Sequence, residues 1–428
     1  MLAYEGSTLR KKRMMHTSLK QQYKGMKVVR EGTLENNIPV KTRSQGKSQD
    51  KKGPTILQVL PAMETGGAEQ GALDISAELV KAGSRSFIAC NGGPRAYEIE
   101  RGGGKMMTLP VDSKNPAKIY RNINKLVRII EDYDIDLVHA RSRAPAWSAY
   151  YACRKTGTPF VTTCHAPYNT GSALKKAYNK IMACGDEVIA ISEHVKNYLT
   201  RHYNLNEDKV RVIHRGIPVE HFHPTSVTPE RMIQLSRQWR LPEDAGVILL
   251  PGRLTRWKGQ RIMIEAMSKI QNSHAFCVIL GSDQGRTKYS RELARLIEEY
   301  GVQDKIRMVE NCRDMPAAYM LSTIVVSAST DPEGFGRVPV EAQAMGRIAI
   351  ATDHGGAAET IISGETGWLV PPGNATALAS AIDRALEMPE SERVKMATRA
   401  MAHVEKNFTK EKMVNETFDV YAQLLKKT

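Results

Sequence analysis

Asp331-Pro-Glu-Gly-Phe-Gly-Arg-Val-Pro-Val-Glu-Ala-Gln-Ala-Met-Gly346 follows the apolar run Thr323-Ile-Val-Val-Ser-Ala-Ser329, and the junction of the two decides the fold. The run reads as a strand. The residues after it read as a short helix with Val340, Ala344 and Met345 on one face. Glu333 and Glu341 stand eight residues apart, so the first sits on the connecting loop and the second inside the helix. Gly334 and Gly336 let the backbone approach a ligand, and the helix start presents unpaired N–H groups to it. Amides for a phosphate and carboxylates for hydroxyls suit a phosphorylated ligand with hydroxyl groups. Taken alone, the same letters also make an ordinary strand–turn–helix with a glycine turn.

Moving outward, the strand–helix rhythm repeats on both sides. Strands are expected at 55–60, 86–90, 106–109, 135–139, 160–165, 187–191 and 210–213, with helices between them after the 61–67 loop and up to Gly83, at 119–130 and at 147–154. After Gly216-Ile-Pro-Val-Glu-His-Phe-His-Pro224 the rhythm restarts, with strands at 247–250, 275–280, 306–309, 323–327 and 348–350. Strict alternation means parallel sheets covered on both faces. The expected class is therefore α/β, with two doubly wound Rossmann-like domains at 54–218 and 219–404. A closing helix is expected within 405–428. Such domains bind ligands at the carboxyl ends of their strands, here in a central cleft that the two face.

The net charge of +15 is unevenly placed. Residues 1–53 hold 13 Lys/Arg against 4 Asp/Glu and carry +9 of it, leaving +6 on the other 375 residues. That stretch lacks sustained periodicity and ends in a linker-like run. It reads as a basic, disordered tail, dispensable or an over-long start with Met14, Met15 or Met26 as the true one, the alternative being a basic arm that touches acidic lipid. It has no apolar core of the kind a secretory signal needs. A moderately basic folded part fits anionic substrates or an anionic membrane surface, and no aromatic-rich basic module points to nucleic acid. No run approaches the roughly 18 apolar residues of a spanning helix. The six cysteines are scattered without C-x-x-C or His/Cys spacing, so they read as reduced thiols of a cytoplasmic protein with no structural zinc.

Pro251-Gly-Arg-Leu-Thr-Arg-Trp-Lys-Gly259 follows the first strand of the second domain. Arg253 and Lys258 bring two fixed cations to a strand's carboxyl end, where they can hold a diphosphate. In the first domain Gly66-Gly67 lies at the first strand–helix junction and can lend backbone amides to the same phosphate. It is neither a G-x-G-x-x-G fingerprint nor a Walker A loop. His165 and His139 end two strands and are expected to face the cleft, His139 being the weaker candidate because a lone histidine is more often a structural hydrogen-bonder. No G-x-S-x-G elbow supports an α/β-hydrolase.

Gly252-Arg253 with Lys258-Gly259, followed about 75 residues later by Glu333-Gly-Phe-Gly and Glu341-Ala, resembles the retaining GT-B glycosyltransferases of family 4. The resemblance covers about residues 55–425. The run Val138-His-Ala-Arg-Ser-Arg-Ala-Pro-Ala-Trp-Ser-Ala149 and the Asp112-Ser-Lys-Asn-Pro116 turn look more particularly like alphaproteobacterial lipopolysaccharide-core mannosyltransferases. One departure is Arg347, where the family usually has proline.

The resemblance implies a role for each matching residue. Arg253 and Lys258 would bind the diphosphate of a nucleotide-sugar donor, with GDP-mannose favoured. Glu333 would contact the donor sugar's hydroxyls, with the amides of Phe335 and Gly336 nearby, and Glu341 the ribose hydroxyls. Gly66 and Gly67 would approach the donor phosphate, and His165 would sit beside the transferred sugar. No metal or other cofactor is implied, because the cations neutralise the leaving diphosphate. The acceptor would be a lipid-linked saccharide such as lipopolysaccharide core, met at the inner face of the cytoplasmic membrane, and the final helix would cross back onto the first domain. A sugar-nucleotide epimerase of similar fold and a noncatalytic lipid- or protein-binding scaffold are the alternatives.

Overall fold

The computed structural model describes residues 53–427 apart from positions 65, 169 and 286, so the reading of the basic tail lies outside the described residues. The chain divides into two compact units. One is Ile217–Thr409; the other joins the described residues up to Gly216 with those from Lys410 onward.

The unit that ends at Gly216 is built on seven parallel strands. These are β1 (Thr55–Val59), β2 (Arg85–Cys90), β3 (Lys105–Thr108), β4 (Leu137–Ala140), β5 (Phe160–Cys164), β6 (Glu187–Ala190) and β7 (Val210–Val212), ordered β3-β2-β1-β4-β5-β6-β7. The second unit has six: β8 (Gly246–Pro251), β9 (Ala275–Leu280), β10 (Ile306–Val309), β11 (Ile324–Ser327), β12 (Ile348–Thr352) and β13 (Gly367–Val370), ordered β10-β9-β8-β11-β12-β13. Every pairing in both sheets is parallel. Both are Rossmann-like sheets, and the cause is visible in the sequence. Central strands such as β1, β5, β9 and β12 are buried at every residue, which is why they read as unbroken apolar runs. The sequence reading missed β13, whose Gly367-Trp-Leu-Val370 is too short and too close to turn glycines to stand out.

Helix boundaries follow local chemistry. The helix expected at 119–130 runs over Pro116–Asp132, because the Asn115 side chain caps the amides of Ala117 and Lys118 and Pro116 occupies the first turn. Gly157, left-handed at φ 71°, closes the helix Arg143–Thr156.

The final helix, Lys410–Lys427, belongs to the first unit. Its Met413, Val414, Phe418, Val420, Tyr421, Leu424 and Leu425 pack with Ile56, Ile75, Leu79, Leu137, Val161, Ile189 and Ile213. Each large apolar side chain buried this way contributes about 1.5–3 kcal/mol. The division falls at 216/217 and 409/410, not at 218/219 and 404/405. Ile217 forms a bridge to Thr409 and its amide donates to the Phe408 carbonyl at 2.9 Å, so both crossings stay with the second sheet.

His139 corrects an expectation. It lies wholly buried in β4, with Nδ1 2.6 Å from the Tyr421 hydroxyl and Nε2 2.6 Å from Thr163 Oγ1. Burial, reinforced by the charges of Arg141 and His165, holds its pKa well below the ordinary histidine value. It is a neutral tie between the sheet and the final helix. All six cysteines are free thiols. Among the described residues no helix is long and apolar enough to cross a membrane.

Candidate functional site

In the Ile217–Thr409 unit the strand order reverses between β8 and β11, with β9 and β10 on one side and β12 and β13 on the other. The loops leaving the carboxyl ends of β8 and β11 lie against each other there, at the point where doubly wound sheets hold ligands. The β8 loop carries Arg253 and Lys258, and the β11 loop carries Glu333.

Backbone packing fixes both loops. Gly259 has φ 75°, and a Cβ there would run into the Ala328 carbonyl after β11, so glycine is needed on two counts. The Thr330 amide donates to the Trp257 carbonyl at 2.7 Å, and the Arg253 carbonyl accepts from Gln260 Nε2 at 2.9 Å. Arg253 itself presents an exposed side chain. Farther on, Gly336 takes φ 87° at the start of the helix Arg337–Ala344, and a Cβ would press on Ala357. The Gly356 amide donates to the Glu333 carbonyl at 2.8 Å. Phe335 turns its ring into the core, edge-on to Phe408 at 5.7 Å.

The carboxylate and the cation expected to serve different parts of a ligand meet each other. Lys258 Nζ is 2.8 Å from Glu333 Oε2, and the two side chains are only 16% and 13% exposed. Lys258 Nζ also stands 4.5 Å from the Trp257 ring centre. The other carboxylate oxygen accepts from Ser329 Oγ at 2.5 Å and Ser327 Oγ at 3.2 Å. Burial pushes the Glu333 carboxyl up, but the Lys258 charge and the hydrogen bonds from Lys258, Ser329 and Ser327 outweigh it and hold the group below its ordinary value. Glu333 is a fixed, ionised acceptor.

Glu341 lies one turn into the helix and is 9% exposed. Arg337 Nη2 reaches its Oε1 at 2.9 Å, and the Tyr319 hydroxyl donates to its Oε2 at 2.7 Å. Tyr319, Arg337, Ser327, Ser329 and Trp257 were not singled out from sequence. The two serines flank Ala328 at the end of an apolar strand, and that alternation was their one legible signal.

Gly66, Gly67 and His165 lie in the other unit, at the carboxyl ends of β1 and β5. Gly66 caps the helix Gly67–Lys81 in an extended conformation, and a side chain there would collide with the Glu69 carboxylate. The Gly67 carbonyl accepts from Arg215 Nη2. The His165 imidazole is held well below its ordinary pKa by burial and then by the charges of Arg215 and Arg141, so it is neutral, and its Nε2 has no hydrogen-bond partner among the described residues. Gly67 and His165 are thus gathered around Arg215. Arg141 is a further residue missed from sequence, 3% exposed with Nε donating to Gln58 Oε1 at 2.7 Å.

Comparison with known proteins places these loops in context. The model of glycosyl transferases group 1 matches residues 232–403, and that of glycosyltransferase family 4 matches residues 65–221. A glycosyltransferase structure from Rickettsia africae ESF-5 is 37% identical, with a TM-score of 0.83 over 88% of this chain and 99% of that one. The structure of Anabaena HepE in complex with UDP superposes with a TM-score of 0.77 at 21% identity, over 86% of this chain and all of that one. A D-inositol 3-phosphate glycosyltransferase of Streptomyces bingchenggensis is 30% identical over 257 residues, 58% of this chain. The match spans 55% of that relative, little more than half of its length.

Proposed function

Since the chain belongs to the group 1, family 4 glycosyltransferases of GT-B fold, we propose that it moves a hexose from a nucleoside-diphosphate sugar to a lipid-linked saccharide with retention of configuration. Mannose from GDP-mannose is the favoured donor and lipopolysaccharide core the favoured acceptor. Both preferences rest on the likeness of the 138–149 run and the 112–116 turn to lipopolysaccharide-core mannosyltransferases. The observation that carries the reading is the Lys258–Glu333 pair at the switch point, with Glu341 one turn into the helix that follows.

Each group has a task in this scheme. Arg253 and Lys258 hold the diphosphate and stabilise the charge that develops as it leaves, supplying electrostatics that need no metal. Glu333, ionised and fixed by Ser327 and Ser329, accepts hydrogen bonds from the donor sugar and keeps Lys258 aimed. The backbone at Phe335 and Gly336 lines the same loop, and Glu341 accepts from the ribose. In the other unit Gly66, Gly67 and the neutral His165 serve the donor phosphate and the transferred sugar. The protein works at the inner face of the cytoplasmic membrane as a peripheral protein drawn by its basic balance. Failure to sediment with anionic vesicles at low salt would remove that part.

The test is incubation of the purified chain with candidate donors and a lipid-linked saccharide. The expected product is heavier by one hexose and carries the donor's anomeric configuration by NMR. An epimerised sugar nucleotide formed without acceptor would instead support the epimerase, and absence of donor binding the scaffold.

A further inference from the structure

Glu341 is held at both of its carboxylate oxygens. Tyr319 is 0% exposed on the helix Met315–Leu321. That helix is itself fixed at its start, where Asp314 caps the Ala317 amide at 3.1 Å and pairs with Arg231 at 2.6 Å. The Tyr319 ring also packs edge-on against Phe222, 6.1 Å between centres. The phenol therefore has one orientation, and its hydroxyl donates to Glu341 Oε2 at 2.7 Å. Arg337, one turn before Glu341 on its own helix, holds Oε1 at 2.9 Å.

We propose that Tyr319 and Arg337 are positioning residues that clamp one oxygen each of Glu341, leaving the carboxylate's remaining lone pairs aimed at the 2′- and 3′-hydroxyls of the donor ribose. The inference rests on the assignment of Glu341 to the ribose. A carboxylate offers about four acceptor sites. Two are taken by Tyr319 and Arg337, and two remain for a diol that donates twice. Burial, followed by the Glu341 charge and hydrogen bond, pushes the Tyr319 hydroxyl well above the ordinary tyrosine value, so it stays a donor throughout the working pH range. A glutamate that must be ordered only when the ligand arrives loses about 2- to 10-fold in affinity. The clamp removes that loss.

The test compares binding of a ribonucleoside diphosphate and its 2′-deoxy analogue by calorimetry, using GDP, UDP and ADP with their deoxy forms. In the wild type the ribo form binds about 10- to 100-fold more tightly, the range for a hydrogen bond to a charged acceptor. Glu341→Ala brings the ratio to about one. Tyr319→Phe, which keeps the buried ring, and Arg337→Met each lower the ratio about 2- to 10-fold, and Arg337→Lys restores part of it. A merely structural role moves the melting temperature and leaves the ratio alone. An unchanged ratio in both Tyr319→Phe and Arg337→Met overturns the positioning roles while leaving the ribose contact intact. A wild-type ratio of one removes Glu341 from the ribose, and no nucleotide binding at all overturns the donor site itself. If Tyr319→Phe does not fold, the Arg337 pair of variants decides alone.

Discussion

Replacing Lys258 by methionine keeps the aliphatic stem and deletes the charge beside Glu333. The carboxylate keeps its hydrogen bonds from Ser329 and Ser327 but loses a cation 2.8 Å away in a site where it is only 13% exposed. Breaking a buried pair from one side costs about 3–5 kcal/mol, and the residual exposure of both partners places this one near about 3 kcal/mol. The pH dependence follows from the direction of the Glu333 shift. In the wild type the group sits below its ordinary 4.5, so its stabilising contribution is present above that value and is lost as pH falls through the lower folded value. In Lys258→Met the desolvation that raises it is no longer outweighed by the lysine. The carboxyl then protonates at higher pH, and the stability gap to the wild type narrows between pH 7 and pH 4. Adding Glu333→Gln to Lys258→Met removes the stranded charge and recovers part of the loss. Urea unfolding followed by tryptophan fluorescence reads this unit well, because Trp239, Trp257 and Trp368 lie in it and only Trp147 in the other. A gap that is the same at pH 7 and pH 4, with no recovery in the double variant, would refute the reasoning.

Three other substitutions probe separate claims. Glu341→Ala is expected to raise the donor KM while leaving kcat within a few-fold; steady-state kinetics at varied donor would show it, and an unchanged KM removes the ribose contact. Gly259→Ala meets both a positive φ and the Ala328 carbonyl, so the protein should lose at least about 1–3 kcal/mol of stability together with donor binding; a variant of wild-type stability would contradict the close approach of the two loops. Tyr421→Phe deletes the hydroxyl at His139 and is expected to cost about 1–3 kcal/mol in thermal unfolding, with kinetics preserved at temperatures where it stays folded.

The fold was legible because a parallel sheet buried on both faces writes its strands as continuous apolar runs. β9 and β10 were read to the residue, and β11 to within one. What escaped was local and marginal, as with β13. The two unit boundaries shifted by two and five residues, since contacts of Ile217 with Thr409 and Phe408 are invisible in a one-dimensional pattern. Lys258, Glu333 and Glu341 stood out in the sequence because strand ends followed by glycines mark where ligands approach, and the structure pairs the first two. Their other partners did not stand out. Tyr319 reaches Glu341 from a different helix, 22 residues away in sequence, and nothing in its neighbourhood distinguishes it from a core tyrosine. His139 shows the converse: the strand-end histidine, expected to face the cleft but already the weaker candidate, is a structural hydrogen-bonder held by Thr163 and by Tyr421, 282 residues distant.

The proposed transfer requires that the loops after β8 and β11 form a nucleotide-sugar donor site. Thermal unfolding of the wild type, Lys258→Met and Glu341→Ala with GDP, UDP and ADP, alone and as their sugars, tests this most directly. One base is expected to stabilise the wild type, by about 2.7 kcal/mol at a hundred times its Kd, and to lose most of that effect in both variants at the same concentration. A wild type unmoved by every nucleotide, or a stabilisation that survives in both variants, would contradict it.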